Sequence, residues 1–307
     1  MSTRHVVVLL PDSRNPYMQL SAEAAARSAD RLRLSVDIQF AEADFTTQVR
    51  QVYVSTRAVP RPDLVMVTPV QESALKTISE QTVAAGIGWF WMNRSIGNEK
   101  ELRGRYPGVP ICMVSPDQRE AGRIQARQAR SLLPGAGRVL FVQGRMTNQS
   151  ARLRAEAFHE ALKRYPGLEI IGELDGNWSA DGAQQAVTRW LEVMRPTPLR
   201  PDVIICQNDA MATGVLEALR GMAERAGEPD LARLPVIGAD GLHAIGRHMV
   251  DIGKLAATTL LPITADRAMQ AAAAFADAGD LPPAEIILPP SAYPDEATMV
   301  RRWRRTA

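Results

Sequence analysis

Cysteine is nearly missing from this chain: Cys112 and Cys206 are the two in 307 residues. A disulfide-stapled scaffold and a cysteine-built zinc site are thereby excluded. Each cysteine sits in an apolar run, so both are expected as buried free thiols. Charge of either sign is equally short in excess, because 36 Lys and Arg against 34 Asp and Glu leave a formal +2. Such a balance gives no field for a nucleic-acid partner. The one basic cluster, Arg301, Arg302, Arg304 and Arg305, reads as a solvated tail. No apolar stretch approaches the roughly 18 residues of a membrane span, which excludes an integral membrane segment.

Catalytic and cofactor signatures are also wanting. There is no Gly-x-Gly-x-x-Gly fingerprint and no phosphate-cradling Walker loop, and Gly135-Ala136-Gly137 reads as a bend before a strand. The histidines are His5, His159, His243 and His248. His243 and His248 stand five apart without a compact ligand set around them, so no metal is expected. No Gly-x-Ser-x-Gly elbow marks a nucleophile. The expectation is a protein without cofactor and without catalysis.

What the sequence does contain is an alternation of short β-rich runs with longer helical patterns. Strands are predicted at 6–10, 36–40, 64–68, 87–92 and 111–114, then at 139–142, 169–172, 203–206 and 236–238, with another apolar run at 255–261. Continuous apolar strands separated by helices suit parallel sheets covered on both faces. Met18, Ala22, Ala25, Ala29 and Leu32 recur at helical steps, leaving Arg27, Asp30 and Arg31 toward water, and Met211, Val215, Leu219 and Met222 repeat the pattern. The alanine-rich run 268–278 predicts a further helix, with Pro282 and Pro283 as its stop. Pro62-Asp63 before one strand is echoed by Pro201-Asp202 before another. That echo, with the chain's length, predicts two similarly built lobes. In such sheets ligands collect beyond the C-terminal strand ends.

Several segments in order resemble one family. They are 11–17 (PDSRNPY), 91–94 (WMNR), 150–158 (SARLRAEAF), 206–214 (CQNDAMATG), 236–241 (VIGADG) and 253–258 (GKLAAT). Together they resemble type I periplasmic sugar-binding proteins, related to ribose-binding protein and to the effector domains of lactose-repressor-type regulators. The resemblance spans roughly residues 5 to 290. It implies an α/β fold of two Rossmann-like lobes with a ligand cleft and a three-segment hinge. Carried onto this chain, residues 1–115 with 263–288 form the first lobe, and 116–262 with 289–307 the second.

The resemblance also maps ligand contacts to Asn15, Tyr17, Asn93, Arg94, Arg154, Trp178, Asn208 and Asp240. Amides, carboxylates and guanidinium forks suit a polyhydroxylated ligand, and aromatic rings suit the apolar face of a sugar. Each residue has a plainer role open to it. Asn15 beside Pro16 either shapes a turn or touches ligand, Asn93 and Asn208 either satisfy loop backbone or touch ligand, and Tyr17 and Trp178 are either core aromatics or stacking platforms. Arg94 and Arg154 are either surface residues or ligand contacts, and Asp240 either caps, holds an inter-lobe bond or meets ligand. Asp117 and Asp209 read as hinge or helix-entry residues, and with Asp12 they can offset the arginines. Two departures stand out: Asn93 occupies a position often acidic in the family, and Leu260-Leu261 lacks a glutamine often found there. The specificity of ribose-binding protein is therefore not carried over.

The expected function is a solute-binding receptor that closes around a sugar, polyol or related small polar ligand, working with an ABC permease or a signalling protein. A cytoplasmic metabolite-responsive regulatory module is the alternative, and a sugar-processing enzyme a further one. No helix-turn-helix pattern precedes the first strand, so direct DNA binding is not expected. Residues 1–5 run straight into that strand, which predicts a cytoplasmic location, or a periplasmic one if a leader has been removed.

Overall fold

The computed structural model describes residues 4–133, 135–299 and 301. Arg302, Arg304 and Arg305 lie outside the described residues, while Arg301 is exposed and donates to the Thr298 hydroxyl at 2.8 Å. The chain divides into two compact units, Met1–Pro116 with Ile263–Leu288, and Asp117–Pro262 with Pro289–Ala307. It passes between them three times.

The first unit begins β1 (His5–Leu10), α1 (Pro16–Leu32), β2 (Ser35–Phe40), α2 (Phe45–Ser55), β3 (Leu64–Val67), α3 (Lys76–Ala84), β4 (Gly88–Met92), α4 (Glu99–Arg105) and β5 (Ile111–Pro116). The second unit carries α5 (Gln118–Leu132), β6 (Gly137–Gln143), α6 (Gln149–Leu162), β7 (Leu168–Asp175), α7 (Ala180–Met194), β8 (Val203–Cys206), α8 (Asp209–Ala226), β9 (Val236–Ile237), α9 (His248–Asp251) and β10 (Thr258–Leu260). The chain then returns to the first unit as α10 (Thr264–Ala278) and β11 (Glu285–Leu288), and β12 (Ser291–Tyr293) belongs to the second.

In the first unit six parallel strands are ordered β11-β5-β4-β3-β1-β2. β3 and β4 are buried along their whole length, as their unbroken Leu64-Val65-Met66-Val67 and Gly88-Trp89-Phe90-Trp91-Met92 runs require of strands covered on both faces. β2 lies at the sheet's edge, and its first four residues alternate between exposed and partly buried. Trp89 and Trp91 meet edge to face at 5.1 Å inside this core. Met18, Ala25 and Ala29 of the predicted stripe are buried on α1, whereas Ala22 and Leu32 are half-buried. Ser21, Ala24 and Ser28 widen the buried face because α1 also packs beside α10, where Ser28 donates to Asp266. α10 ends at Gly279, in the left-handed region at φ 74°, not at the prolines, because that backbone already turns the chain out of the helix.

The second unit has a four-stranded parallel sheet ordered β7-β6-β8-β9 and a small antiparallel pair, β10-β12. Its core centres on Phe141 and Phe158, stacked at 4.5 Å; truncating either to alanine would cost about 3–5 kcal/mol. Observed strands differ from expectation mainly at their ends: β7 is longer than 169–172, and within 255–261 only Thr258–Leu260 forms a strand, as β10, while Ala257 makes an isolated bridge to Ile237. β11 and β12 were not anticipated. Cys112 on β5 and Cys206 on β8 are buried, unbonded and in different units. Among the described residues, no helix is long and apolar enough to cross a membrane.

The sequence echo has a structural counterpart. The Asp63 backbone N–H donates to the His5 carbonyl and its carboxylate accepts from the His5 N–H, both at 2.8 Å. Asp202 does the same at Arg138, at 2.8 and 2.7 Å. Each aspartate also pairs with an arginine, Arg4 or Arg138. One device thus ties the entry of the third strand to the first in both units.

Candidate functional site

Both sheets reverse their winding at one place. In the first unit β1 lies between β2 and β3, and in the second β6 lies between β7 and β8. Loops leaving such neighbouring strands diverge, so the space beyond their C-terminal ends is the preferred place for a ligand. The eight expected residues fall into one set per unit, carried by loops and helix starts at these strand ends.

In the first unit Asn15 follows β1 and caps α1, its Oδ1 accepting from the N–H of Tyr17 at 3.0 Å and of Met18 at 3.3 Å. Asparagine is favoured there because its short carbonyl reaches donors that the first helical turn leaves orphaned. Capping leaves the Asn15 amide N–H₂ for other partners. Tyr17 is buried, and its hydroxyl donates to Asn93 Oδ1 at 3.4 Å. Asn93 directly follows β4 in the left-handed region at φ 64°, and its Oδ1 also accepts from the Thr264 hydroxyl at 2.9 Å. The loop takes this conformation readily because asparagine tolerates it better than most residues. Asn15, Tyr17 and Asn93 are therefore one connected group.

Arg94 is buried as well, not a surface residue. Its Nε donates to the Pro69 carbonyl at 2.8 Å, its second amino group reaches the same oxygen, and its Nε lies 3.7 Å from Glu72 Oε1. Glu72 opens the short 3-10 helix Glu72–Leu75 after β3 and was not among the expected residues. Its signal was present, an acid just beyond a buried strand, but its partner lies 22 positions away.

In the second unit Arg154 projects from α6 and is buried. Its Nε donates to Gln118 Oε1 at 2.6 Å and its amino group to the Gln207 carbonyl at 2.5 Å. Gln207 accepts from the Gly144 N–H at 3.0 Å and donates to the Ala151 carbonyl at 3.0 Å, so it ties the loop after β6 to α6. Trp178 follows β7 at φ 58° and is partly buried, its indole N–H donating to Asn148 Oδ1 at 3.0 Å. The indole lies against Gly144 so closely that a Cβ there would stand 2.0 Å from its Cε2. Arg154 Cζ lies 5.5 Å from the Trp178 ring centroid, within cation-π range.

Asn208 follows β8 and caps α8, accepting from the Met211 N–H at 2.8 Å and donating to the Trp178 carbonyl at 3.1 Å. Its side chain thus serves the helix start and the tryptophan loop together. Asp117 likewise caps α5, accepting from the Glu120 N–H at 2.8 Å, and Asp12 accepts from the Arg14 backbone and guanidinium. Asp209 opens α8 and is enclosed: its carboxylate accepts from the Thr258 hydroxyl at 2.7 Å and from the N–H groups of Gly241 and Leu242 at 2.8 and 3.3 Å. Asp240 follows β9 at φ 103°, held through its backbone to Thr259 and Leu261. Its side chain is buried and accepts no hydrogen bond from the described residues.

Burial raises the Asp240 carboxyl well above the ordinary carboxylate range; the negative Asp209 adds to the rise and Arg154 opposes it. Burial also raises Asp209, against the pull of Thr258, the two backbone donors and Arg154. Gln118, Gln207, Asp209, Asn148 and Glu72 are neighbours of the candidate residues that sequence reading either missed or left as structural. Gln207 and Asp209 lie within the 206–214 segment, but the contacts of all five are with partners remote in sequence.

The sequence profile of the periplasmic binding protein domain matches residues 6–280. A "Putative rhizopine-binding protein" of Rhizobium meliloti is 28% identical over 187 residues, 60% of this chain and 58% of the relative. The D-apiose import binding protein of Actinobacillus succinogenes is 23% identical over 257 residues, 84% of this chain and 76% of its own. The chain thus spans less than two thirds of the first relative and about three quarters of the second. In fold, it is similar to the Caulobacter myo-inositol binding protein bound to myo-inositol, with a TM-score of 0.83 at 24% identity, covering 99% of this chain and 98% of that one. With its two α/β lobes and its profile match across most of the sequence, the chain belongs to the periplasmic binding protein domain family.

Proposed function

We propose that the protein is a solute-binding receptor for a neutral monosaccharide or related polyol, supplying a transporter or a sensing partner and leaving its ligand chemically unchanged. One observation carries the neutral choice: each candidate arginine has acidic neighbours within its own unit, Glu72 for Arg94 and the Asp209 and Asp240 carboxyls for Arg154. Such arginines present directed N–H donors without a surplus of positive charge, which suits hydroxyl oxygens better than a carboxylate or phosphate. The proposed contacts are Asn15, Tyr17, Asn93 and Arg94 in the first unit and Arg154, Trp178, Asn208 and Asp240 in the second. The capping amides contribute their remaining N–H groups, Asp240 accepts ligand hydroxyls, and the indole covers an apolar ring face. Relatives named for D-apiose import and for xylitol binding support a polyhydroxylated neutral ligand.

Calorimetry with xylitol, myo-inositol, neutral aldoses, sugar acids and sugar phosphates tests this reading, with chromatography of each ligand recovered afterwards. Binding of a neutral member, recovered intact, is expected. Binding confined to the anionic members, or conversion of the ligand, would refute it.

A second reading, a metabolite-responsive regulatory module, is favoured by the ribose operon repressor of Escherichia coli, which is 32% identical over 158 residues. Co-purification with permease components rather than with a regulatory partner separates the two.

A further inference from the structure

We propose that Asp209, outside the eight ligand candidates, is a positioning residue that fixes the Asp240 loop and governs the charge that Asp240 offers to a ligand. The inference rests on the polyol-receptor reading only for its binding arm. Three donors converge on the Asp209 carboxylate from two separate segments: the Thr258 hydroxyl on β10, and the backbone N–H groups of Gly241 and Leu242. Two glycines close around it. A Cβ on Gly238 would stand 2.3 Å from Asp209 Oδ1, and one on Gly246 would stand 2.1 Å from Oδ2. The loop from 238 to 246 is thus wrapped on this one side chain, with room for nothing larger than hydrogen at either place.

Asp240 sits inside that wrapped loop, at a φ of 103° that residues with a side chain rarely adopt. Its carbonyl and N–H are used by Leu261 and Thr259, so the pinned backbone dictates where its carboxyl points. The two carboxyls have opposite endowments. Asp209 has three donors, two of them backbone groups that can only donate, and is the better-stabilised anion. Asp240 has none, and faces Asp209 on α8 and Arg154 on α6 as the charged groups acting on it among the described residues. Arg247, in the helical turn His243–Arg247 that leads into α9, spends its Nε on the Gly241 carbonyl, and the Cys206 thiol on β8 is itself pushed up by burial and by Asp209. Two acids against one arginine leave one negative charge in excess, and a proton on Asp240 meets it in the unliganded protein. Ligand hydroxyls supply the donors that Asp240 lacks, so polyol binding favours its carboxylate form.

The test compares wild type with Asp209→Asn and Asp209→Ala. The ¹³C carboxyl resonance of Asp240 is titrated without ligand, amide exchange is read at Gly241 and Leu242, and xylitol and myo-inositol affinities are measured from pH 5 to pH 8. D209N keeps an oxygen for the two backbone donors but loses the charge. Retained amide protection, a lower Asp240 midpoint and tighter polyol binding than wild type at pH 8, where Asp209 with its carboxyl raised to about 7 is charged, are expected, a gain that mere structural damage would not produce. D209A is expected to lose amide protection and at least ten-fold in affinity. An Asp240 midpoint unmoved in D209N, or D209A retaining both protection and affinity, overturns the proposal. If D209A does not fold, the D209N titration decides alone. If wild type binds no polyol, the receptor reading fails while the ligand-free measurements still decide the role of Asp209.

Discussion

Replacing Glu72 by glutamine removes a charge and almost nothing else, so it isolates the argument on which the neutral-ligand reading stands. The Glu72 and Arg94 side chains are 7% and 9% exposed, and the closest approach between them is 3.7 Å. At an effective dielectric constant of about 20, unit charges at that separation attract by about 4 kcal/mol. Removing one partner from a buried pair costs about 3–5 kcal/mol, most of it the penalty of leaving the other charge uncompensated. Because the Pro69 carbonyl still accepts from Arg94 in the variant, the expected loss is about 3 kcal/mol, the lower end of that range. Urea unfolding of wild type and E72Q, followed by two probes, measures it. The second expected effect is on selectivity: loss of the Glu72 charge beside Arg94 raises affinity for sugar acids relative to neutral polyols. A loss under about 1 kcal/mol, the scale of an exposed pair, together with unchanged ligand preference, would refute the claim that Glu72 neutralises Arg94.

Gly144→Ala drives a methyl group onto the Trp178 indole, 2.0 to 2.4 Å from three ring atoms, and is expected to cost about 1–3 kcal/mol by overpacking. Indole ¹H–¹⁵N spectra should move at Trp178 and polyol affinity should fall; an unshifted Trp178 resonance would contradict the geometry. Glu99, almost wholly enclosed on α4, has its carboxyl raised chiefly by burial, with a Ser95 hydrogen bond opposing. The folded state therefore holds that proton more tightly than the unfolded one, so its contribution to stability falls as pH rises from the unfolded carboxylate value through the folded one. Glu99→Gln should flatten that part of the stability profile in pH-dependent thermal unfolding, and an unchanged slope would count against a buried Glu99.

Strands such as β1, β3 and β8 could be read directly because a parallel strand covered on both faces needs unbroken apolar residues, and Val6-Val7-Val8-Leu9-Leu10 or Val203-Ile204-Ile205-Cys206 meets that need locally. The α/β class and the ordered family segments were determined at this level. β11 escaped because its four residues alternate in exposure at a sheet edge, and pairing with β5 more than 170 positions earlier is what makes it a strand. The candidate site divides in the same way. The family resemblance marked Asn15, Asn93, Arg154, Asn208 and Asp240, but an asparagine before a helix is compatible with a cap and with a ligand contact, and only the fold decided that Asn15 and Asn208 cap. Glu72, Gln118 and Asp209 acquire their roles from partners 22 to 49 positions away. The sequence by itself determined which surfaces had to be buried, since that depends on each residue's own chemistry. Which charges and donors meet inside was decided only by the tertiary structure, because hydrogen bonds and ion pairs act over a few ångströms and chain folding alone brings such remote groups within reach.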